Sequence, residues 1–168
     1  SAPERVTVSA LISTARPRAA PARRVRWQAS FERRGDGGRK VHPGCIVTYR
    51  GAPGSNRRAN LDTVLAWLAR SPDLETIVVE QDAHPRLAAP LPHPRARIVF
   101  AYNAGPFNRA WGLNVGARMS AAGVLAFGDA DVVLPGAFGP AVTRSALEAQ
   151  VVKPYRRLVD LTTDETAQ

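Results

Sequence analysis

The sequence has one cysteine, few aromatic side chains and no long hydrophobic segment. Cys45 stands alone among 168 residues, so the chain cannot form an internal disulfide, and no oxidising compartment is indicated. No apolar run approaches the roughly 20 residues that a membrane-spanning helix needs. The N-terminus also lacks the charged and then apolar layout of a signal peptide. These absences predict a cytoplasmic protein with no transmembrane segment, in which Cys45 is a small buried residue.

Basic residues outnumber acidic ones, and nearly all of them are arginine. There are 23 Lys and Arg against 14 Asp and Glu, which gives a formal net charge of +9. A basic protein of this size is compatible with nucleic-acid binding, but its aromatic residues do not interleave with the arginines as a stacking platform would. The sequence therefore argues against nucleic acid and favours an anionic partner such as a nucleotide diphosphate. The alternative function is a basic module that binds nucleic acid or an anionic surface through the arginines of residues 1–58.

Residues 1–44 are predicted to form an N-terminal β-hairpin ahead of the main domain. Residues 5–12 have the composition of a strand, and residues 25–31 alternate apolar and polar side chains as a half-buried strand does. The glycine-rich segment 33–44 then predicts a loop. The hairpin is either an accessory sheet or an interaction element, and it is compatible with a homo-oligomer.

Residues 45–168 are predicted to form one α/β domain. Residues 45–50 and 76–79 are short apolar segments typical of buried strands. Between them, apolar residues at helical spacing define one face of a helix: Leu61, Val64, Leu65 and Leu68. Ser55 is expected to cap this helix, and Ser71-Pro72 to end it. Strand, helix and strand at this spacing make a βαβ unit, whose strands lie parallel.

A proline-rich segment separates this unit from the next strand. Residues 83–94 hold too many prolines for a helix or a central strand, and residues 97–100 then have a strand pattern. His84 and His93 lie in the proline-rich segment without metal-ligand spacing, so both are expected in solvent.

Two carboxylates follow another apolar strand. Residues 124–127 form an apolar run of strand length, and Asp129 and Asp131 come soon after. Residues two apart on a strand point the same way, so both carboxylates can face one ligand at the sheet edge where α/β proteins bind ligands. Neighbouring carboxylates repel unless a cation lies between them. The pattern favours a Mg²⁺ or Mn²⁺ site shared with a phosphate group, and a solvated acidic turn is the alternative.

A helix rich in small residues precedes that strand. Asn108 is placed to cap it. Gly112 and Gly116 lower helix stability, so each needs a reason, and close approach to the sheet or to a ligand is the expected one.

The helix and the two carboxylates together resemble the GT-A glycosyltransferases. Residues 107–116 read FNRAWGLNVG, and the Asp129-Ala130-Asp131 strand follows. This is closest to the β-1,4-galactosyltransferase pattern, in which Phe-Asn-Arg-Ala-x-x-Leu-Asn-Val-Gly precedes an Asp-x-Asp strand. It is also similar to family 2 glycosyltransferases, in which an Asn-x-Gly helix precedes the same strand. The resemblance covers roughly residues 45–135.

The resemblance implies a fold and a donor site. The fold would be a three-layer α/β sandwich with a mostly parallel sheet, of the nucleotide-diphospho-sugar transferase (GT-A) type. Asp131 would hold the metal, and Asp129 would bind the ribose or share the metal. The other residues implied in nucleotide-sugar binding are Thr48, Tyr49, Arg50, Glu80, Asp82, Phe107, Arg109 and Asn114. The galactosyltransferases end their first strand in Pro-Phe-Arg-x-Arg, whereas this chain has Thr48-Tyr49-Arg50 and then a longer turn before Asn56-Arg57-Arg58. This difference leaves open which arginine has which part.

The activity implied is metal-dependent transfer of a sugar from a nucleotide diphosphate, a UDP-sugar, to a hydroxyl group of a saccharide or glycolipid acceptor. An inverting transferase needs a general base, but the acids after Asp131 stand in no recognisable motif and no histidine follows it. The catalytic residues and the stereochemical outcome are therefore unassigned. The chain is expected to be a segment of a longer enzyme or a compact transferase with an unfamiliar base, in preference to a nucleotide-sugar-binding relic.

Overall fold

The computed structural model describes residues 10–13, 42–133, 138–153 and 159. No helix in these ranges is long and apolar enough to cross a membrane. In chain order the elements are β1 (Ala10–Ser13), β2 (Pro43–Tyr49), α1 (Arg57–Leu68), β3 (Glu75–Asp82), β4 (Arg97–Tyr102), α2 (Arg109–Met119), β5 (Val124–Asp129), α3 (Phe138–Glu148) and β6 (Val151–Val152).

The strands form one sheet in the order β4-β3-β2-β5-β1-β6. β4, β3, β2 and β5 run parallel, whereas β1 is antiparallel to both β5 and β6. This is the predicted α/β fold with a mostly parallel sheet. From β2 the chain adds β3 and β4 on one side, and then returns through α2 to add β5 on the other. The strand order therefore reverses between β2 and β5, and the carboxyl ends of such strands border a ligand-binding crevice in open α/β sheets.

Helices cover both faces of the sheet. The core that contains residues of α1 and α3 includes Val47 and Val78, and the core under α2 includes Ile46 and Val79. All seven residues of β2 are buried, which explains its continuous apolar run, since a central parallel strand is covered on both sides. Cys45 lies in this strand, and burial raises the pKa of its thiol to about 12. Its prediction as a small buried residue is confirmed.

α2 approaches the sheet at its two glycines. A Cβ at Gly112 would lie 2.2 Å from Nε2 of Gln81, and one at Gly116 would lie 2.2 Å from Cγ2 of Ile46. The expected close approach is therefore to the sheet. Asn108 caps the helix as predicted, because its side chain accepts a hydrogen bond from the backbone N–H of Trp111 at 2.9 Å.

The N-terminal strand is part of the main sheet. β1 lies between β5 and β6, with Ala10 opposite Gly128 and Ser13 opposite Val151. Residues 25–31, the other predicted strand of the hairpin, lie outside the described residues. The pairing of the two segments therefore stays a prediction.

Two local expectations differ from the structure. The N-cap of α1 is Asn56, and the hydroxyl of Ser55 instead donates to the carbonyl of Ala52 in the preceding turn. His93 is 1% exposed, and its Nδ1 accepts a hydrogen bond from the backbone N–H of Arg95 at 3.2 Å. Apolar residues of the proline-rich loop, such as Leu87, pack against the α1 side of the core. The loop therefore covers this face, and its second histidine is buried.

Replacing Gly116 by alanine should lower the free energy of unfolding by about 1–3 kcal/mol, the usual cost of overpacking. The new methyl group would meet Cγ2 of Ile46 at 2.2 Å and Cγ2 of Val79 at 3.0 Å in a fully buried layer. Gly128→Ala is the control, because its Cβ would lie at an ordinary 3.6 Å from Cys45. Denaturant titration measures both variants. A Gly116→Ala protein as stable as the wild type would contradict the close packing of α2.

His93 should make the fold sensitive to acid. Burial, and then the charge of Arg95, lower the pKa of His93 from its ordinary value of 6.5. As the pH falls below 6.5, the unfolded chain takes up this proton before the folded chain does, so stability declines toward the lowered folded pKa. Thermal melts at about pH 8 and about pH 5.5 should show a smaller acid loss for His93→Gln than for the wild type. His84→Gln, at an exposed histidine, should behave like the wild type.

Candidate functional site

A pocket of about 300 Å³ lies at the carboxyl ends of β2 and β5, where the strand order reverses. Thr48 and Asp129 are partners across these two strands, so the pocket joins the end of the first parallel strand to the Asp-x-Asp motif. Its lining is Thr48, Tyr49, Arg50, Arg57, Asn60, Phe107, Asp129, Ala130 and Asp131. Six of the residues predicted from sequence are therefore brought together.

Arg109 and Asp129 form a two-point ion pair beside the pocket. Nε of Arg109 lies 2.5 Å from Oδ1 of Asp129, and Nη2 lies 3.1 Å from Oδ2. The Asn108 cap fixes Arg109 in the first turn of α2, within reach of the end of β5. The two side chains are 40% and 29% exposed, so the pair contributes no more than about 1 kcal/mol to stability. Its clearest effect is to neutralise Asp129.

Asp131 faces the same pocket and forms no ion pair within the described part of the chain. Burial raises the pKa of its carboxyl, and the charge of Asp129 raises it further, while Arg57 and Arg109 act in the opposite direction. A raised pKa means that the surroundings disfavour the ionised carboxyl. A cation bound beside Asp131 would therefore stabilise its ionised form.

The oxygen atoms that the pocket offers as metal ligands suit a cation that binds together with a phosphate group. Mg²⁺ and Mn²⁺ prefer oxygen ligands, and Mg²⁺ commonly takes one or two carboxylates from the protein and the rest from phosphate and water. Asp131 offers a carboxylate that forms no ion pair with any described residue, whereas Asp129 is already held by Arg109. Among the residues that the structure describes, no group of three or more His, Cys, Asp or Glu side chains could hold a metal. Among the described residues, Asp131 could therefore hold such a cation only together with ligands from a phosphate group and water.

Gln81 joins β3 to the segment that forms one wall of the pocket. Its side chain is fully buried. Oε1 accepts hydrogen bonds from Nδ2 of Asn103 at 3.2 Å and from the backbone N–H of Asn108 at 3.1 Å, and Nε2 donates to the carbonyl of Asn108 at 2.8 Å. These bonds fix the backbone at the start of α2. They therefore determine where Phe107 and Arg109 lie.

Arg50 braces the same segment from the end of β2. Its Nε, Nη1 and Nη2 donate to the carbonyls of Gln81, Gly105 and Asn103 at 2.6, 2.6 and 2.5 Å. The guanidinium carbon also lies 6.0 Å from the ring centroid of Phe107. All three nitrogen atoms are engaged with neutral acceptors. Arg50 therefore supports the pocket wall and keeps its positive charge beside the pocket.

Besides Arg109, which lies beside the pocket, three residues expected to bind the nucleotide lie outside its lining. Glu80 is fully buried, and its Oε1 accepts the backbone N–H groups of Arg86 and of the next residue at 2.8 and 3.0 Å. Asp82 forms an ion pair with Arg86 at 2.8 Å. Both carboxylates are directed to the loop after β3 because that loop supplies their hydrogen-bond donors. Asn114 lies on the exposed side of α2.

The decisive contact is the ion pair that joins the two sequence motifs. Arg109 belongs to the motif of residues 107–116, and Asp129 belongs to the Asp-x-Asp motif. Comparison with protein-family models, with curated proteins and with solved structures finds no match for this chain. The assignment of the site therefore depends on its geometry and on these two motifs.

Asn60 and Gln81 belong to the site but were not predicted as site residues, and Arg57 is one of the arginines whose part the sequence left open. Arg57 and Asn60 lie in the first turn of α1, which starts at the same edge at which β2 ends. That placement follows from the βαβ unit, so a signal for them existed in the sequence. Gln81 gave a weaker signal, as a polar residue among the buried positions of β3.

Asparagine at the two carboxylate positions should change stability in opposite directions. Asp131→Asn removes a charge that burial and Asp129 disfavour, so the free energy of unfolding should rise at neutral pH. The unfavourable charge exists only above the raised folded pKa, so this gain should vanish as acid protonates the wild-type carboxyl. Asp129→Asn leaves Arg109 unpaired and should cost up to about 1 kcal/mol. Denaturant titrations at several pH values measure both effects, and effects of the same sign would contradict this account.

Proposed function

We propose that this chain is the donor-binding part of a GT-A-type glycosyltransferase, which moves a sugar from a nucleotide diphosphate, a UDP-sugar, to a hydroxyl acceptor. The observation that carries the proposal is the ion pair of Arg109 with Asp129 beside a pocket at the point of strand-order reversal. Hydroxyl, carboxylate and guanidinium groups in one pocket suit a ligand that combines sugar hydroxyls with phosphate. A solvated acidic turn would give no reason for these groups to converge.

In this proposal, different walls of the pocket bind different parts of the nucleotide-sugar donor. Phe107 is 41% exposed at the pocket and offers an apolar ring face to the base. Thr48 and Asp129 lie opposite each other, where a ribose hydroxyl can bind. Asp131 would hold Mn²⁺ or Mg²⁺, which would supply positive charge to the leaving diphosphate.

The transfer breaks the bond from the anomeric carbon to the diphosphate and forms a bond from that carbon to the acceptor oxygen. The acceptor proton must pass to a base. In the described ranges, the pocket offers only Asp129 and Asp131 as carboxylates, and both are assigned to the donor side. We therefore assign the base and the saccharide or glycolipid site to residues outside these ranges or to a longer parent chain.

Calorimetric titration of UDP into the protein tests the donor site. Binding should strengthen at least about tenfold when Mn²⁺ is present, because a shared metal adds ligands on both partners. Asp131→Asn should abolish this gain while the protein stays folded. Asp62→Asn removes a carboxylate on α1 that pairs with Arg58 outside the pocket, and it should keep the gain. UDP that fails to bind with or without Mn²⁺ would refute the proposal.

No contact among the described residues favours the alternative of a basic binding module. Most arginines of residues 1–58 lie outside those ranges, and within them Arg50 and Arg58 bind internal acceptors. Such a module would bind DNA or RNA without metal, and its affinity would fall steeply with salt. Titration of a single-stranded oligonucleotide at two salt concentrations would detect it.

A further inference from the structure

β4 is an outer strand of the sheet, and no described residue pairs with its free side. In a parallel ladder the backbone groups of alternate residues face the neighbouring strand. The backbone N–H of Asn103, directly after β4, donates to the carbonyl of Asp82 on β3 at 3.0 Å, so the odd-numbered residues face β3. The N–H and C=O groups of Ile98, Phe100 and Tyr102 therefore point to the free side.

The same three residues form an apolar stripe on one face of the sheet, here named the β4 stripe. Val99 and Ala101 belong to the core under α2, so Ile98, Phe100 and Tyr102 lie on the face that carries α1. Phe100 is 39% exposed and Tyr102 is 69% exposed. The residues with outward backbone groups therefore include two that expose large aromatic side chains.

β4 lacks the usual features that keep an edge strand from pairing with another strand. Such strands are often very short, or they carry lysine, proline or an inward-pointing charge. β4 has six residues, RIVFAY, and its one charged residue is Arg97 at the first position. The guanidinium of Arg97 is bound to Glu75 at 3.2 Å. The centre of β4 therefore presents no charge to an approaching strand.

A second apolar stripe, here named the α2 stripe, runs along the side of α2 nearest β4. Its members Trp111, Val115 and Met119 are four residues apart, which places them on one side of the helix. The carbonyl of Met119 accepts a hydrogen bond from Arg97 of β4, whereas Arg109 reaches β5 from the opposite side. Trp111 is 38% exposed and Met119 is 48% exposed. Exposed apolar side chains therefore accompany β4 on both faces of the sheet.

A single two-fold axis would satisfy the free backbone groups of β4. When a second copy of β4 pairs antiparallel with Phe100 opposite Phe100, Ile98 lies opposite Tyr102 of the second copy. In each of these opposed pairs the N–H and C=O groups are directed at the other strand, so every pair is of the hydrogen-bonded type. The two β4 stripes then join into one apolar surface with aromatic side chains paired at its centre.

The same axis is level with the middle of the α2 stripe. Gly112 packs over Gln81 of β3, and Gly116 packs over Val79. These two positions of β3 bracket the strand partner of Phe100. An axis through Phe100 therefore lies at the height of Val115, and the two α2 stripes would flank the paired strands symmetrically. A two-fold interface must be self-complementary in this way.

The exposed aromatic area is sufficient for the centre of a dimer interface. An aromatic side chain offers about 150–250 Å². The exposed fractions of Phe100, Tyr102 and Trp111 therefore amount to roughly 220–360 Å² per copy. Two copies supply twice this area, roughly a third of the 1,200–2,000 Å² that a standard interface buries. The strand backbones and the flanking side chains add to it, so we expect a dimer that depends on protein concentration.

We propose that the chain forms a two-fold symmetric dimer in which β4 pairs antiparallel with β4 of a second copy, centred on Phe100. The two sheets join into one continuous sheet. None of the residues that line the pocket belongs to β4 or to the α2 stripe. The dimer therefore goes beyond the proposed function and does not depend on it.

Disulfide cross-linking tests the position of the axis. In the Phe100→Cys variant the two Cα atoms at the axis would lie about 5.5 Å apart, which suits a disulfide. Tyr102→Cys is the matched control, because Tyr102 lies on the same stripe and is more exposed. Its two copies would lie about 14 Å apart along the paired strands, too far for a disulfide. The native Cys45 is buried, so the wild type should not cross-link.

Under mild oxidation, Phe100→Cys should form the covalent dimer at least about tenfold faster than Tyr102→Cys, because only its sulfur atoms can reach each other. Random collision would instead favour the more exposed Tyr102→Cys. Equal rates, or faster cross-linking of Tyr102→Cys, would overturn the proposed pairing.

Sedimentation velocity tests the dimer without cross-linking. From about 1 to 100 μM, the dimer fraction of the wild type should rise. Phe100→Lys should abolish the dimer, because it places like charges directly opposite each other. Val151→Lys makes the same kind of change at an exposed residue of β6, the other outer strand, and it should leave the dimer intact. Thermal melts check that both variants are folded.

Three results of sedimentation would overturn the proposal. They are a wild type that stays monomeric at every concentration, a dimer that survives Phe100→Lys, and equal loss of the dimer in Phe100→Lys and Val151→Lys. If Phe100→Lys does not fold, the comparison of the two cysteine variants decides the question.

Discussion

The hydrogen bonds of the Gln81 side chain are the constraint on which the pocket depends. They tie the end of β3 to Asn103 and Asn108, and through Asn108 they set the start of α2. The glycine at position 112 belongs to the same constraint, because a Cβ there would lie 2.2 Å from Nε2 of Gln81. Gly112, which lowers the stability of the helix, thus makes room for the buried side-chain amide of Gln81. The ion pair of Arg109 with Asp129 follows from this docking.

The arginines around the pocket have three different electrostatic roles. Among the described residues, Arg50 donates to three neutral carbonyls, Arg109 pairs with a carboxylate, and Arg57 has one long hydrogen bond of 3.5 Å to the carbonyl of Arg50. Of the two carboxylates that line the pocket, Asp131 forms no ion pair with any described residue. The pocket therefore has positive groups near α1 and, after β5, a carboxylate that forms no ion pair with a described residue. A ligand with a phosphate at one end and a bound cation beside it would be oriented by this field.

Local pattern predicted the four parallel strands β2 to β5, the helices α1 and α2 and the Asn108 cap, because each depends on residues close together in sequence. It also predicted that Asp129 and Asp131 would lie at the carboxyl edge of the sheet, where the parallel strands end. It did not predict β6. Nor did it predict the direction of Glu80 and Asp82, which is decided by backbone donors in the loop that follows them. The burial of His93 and the commitment of Arg50 likewise depend on packing between segments far apart in the chain. No local pattern records such packing.

The walls of the pocket come from residues 48–60 and 107–131, so a ligand there would act as a cross-link between distant parts of the chain. A ligand that binds only the folded protein adds RT ln(1 + [L]/Kd) to the free energy of unfolding, about 2.7 kcal/mol at one hundred times its Kd. Occupancy of this pocket can therefore be measured as a shift in the unfolding midpoint. Candidate donors can be ranked in this way before an acceptor or a catalytic base is known.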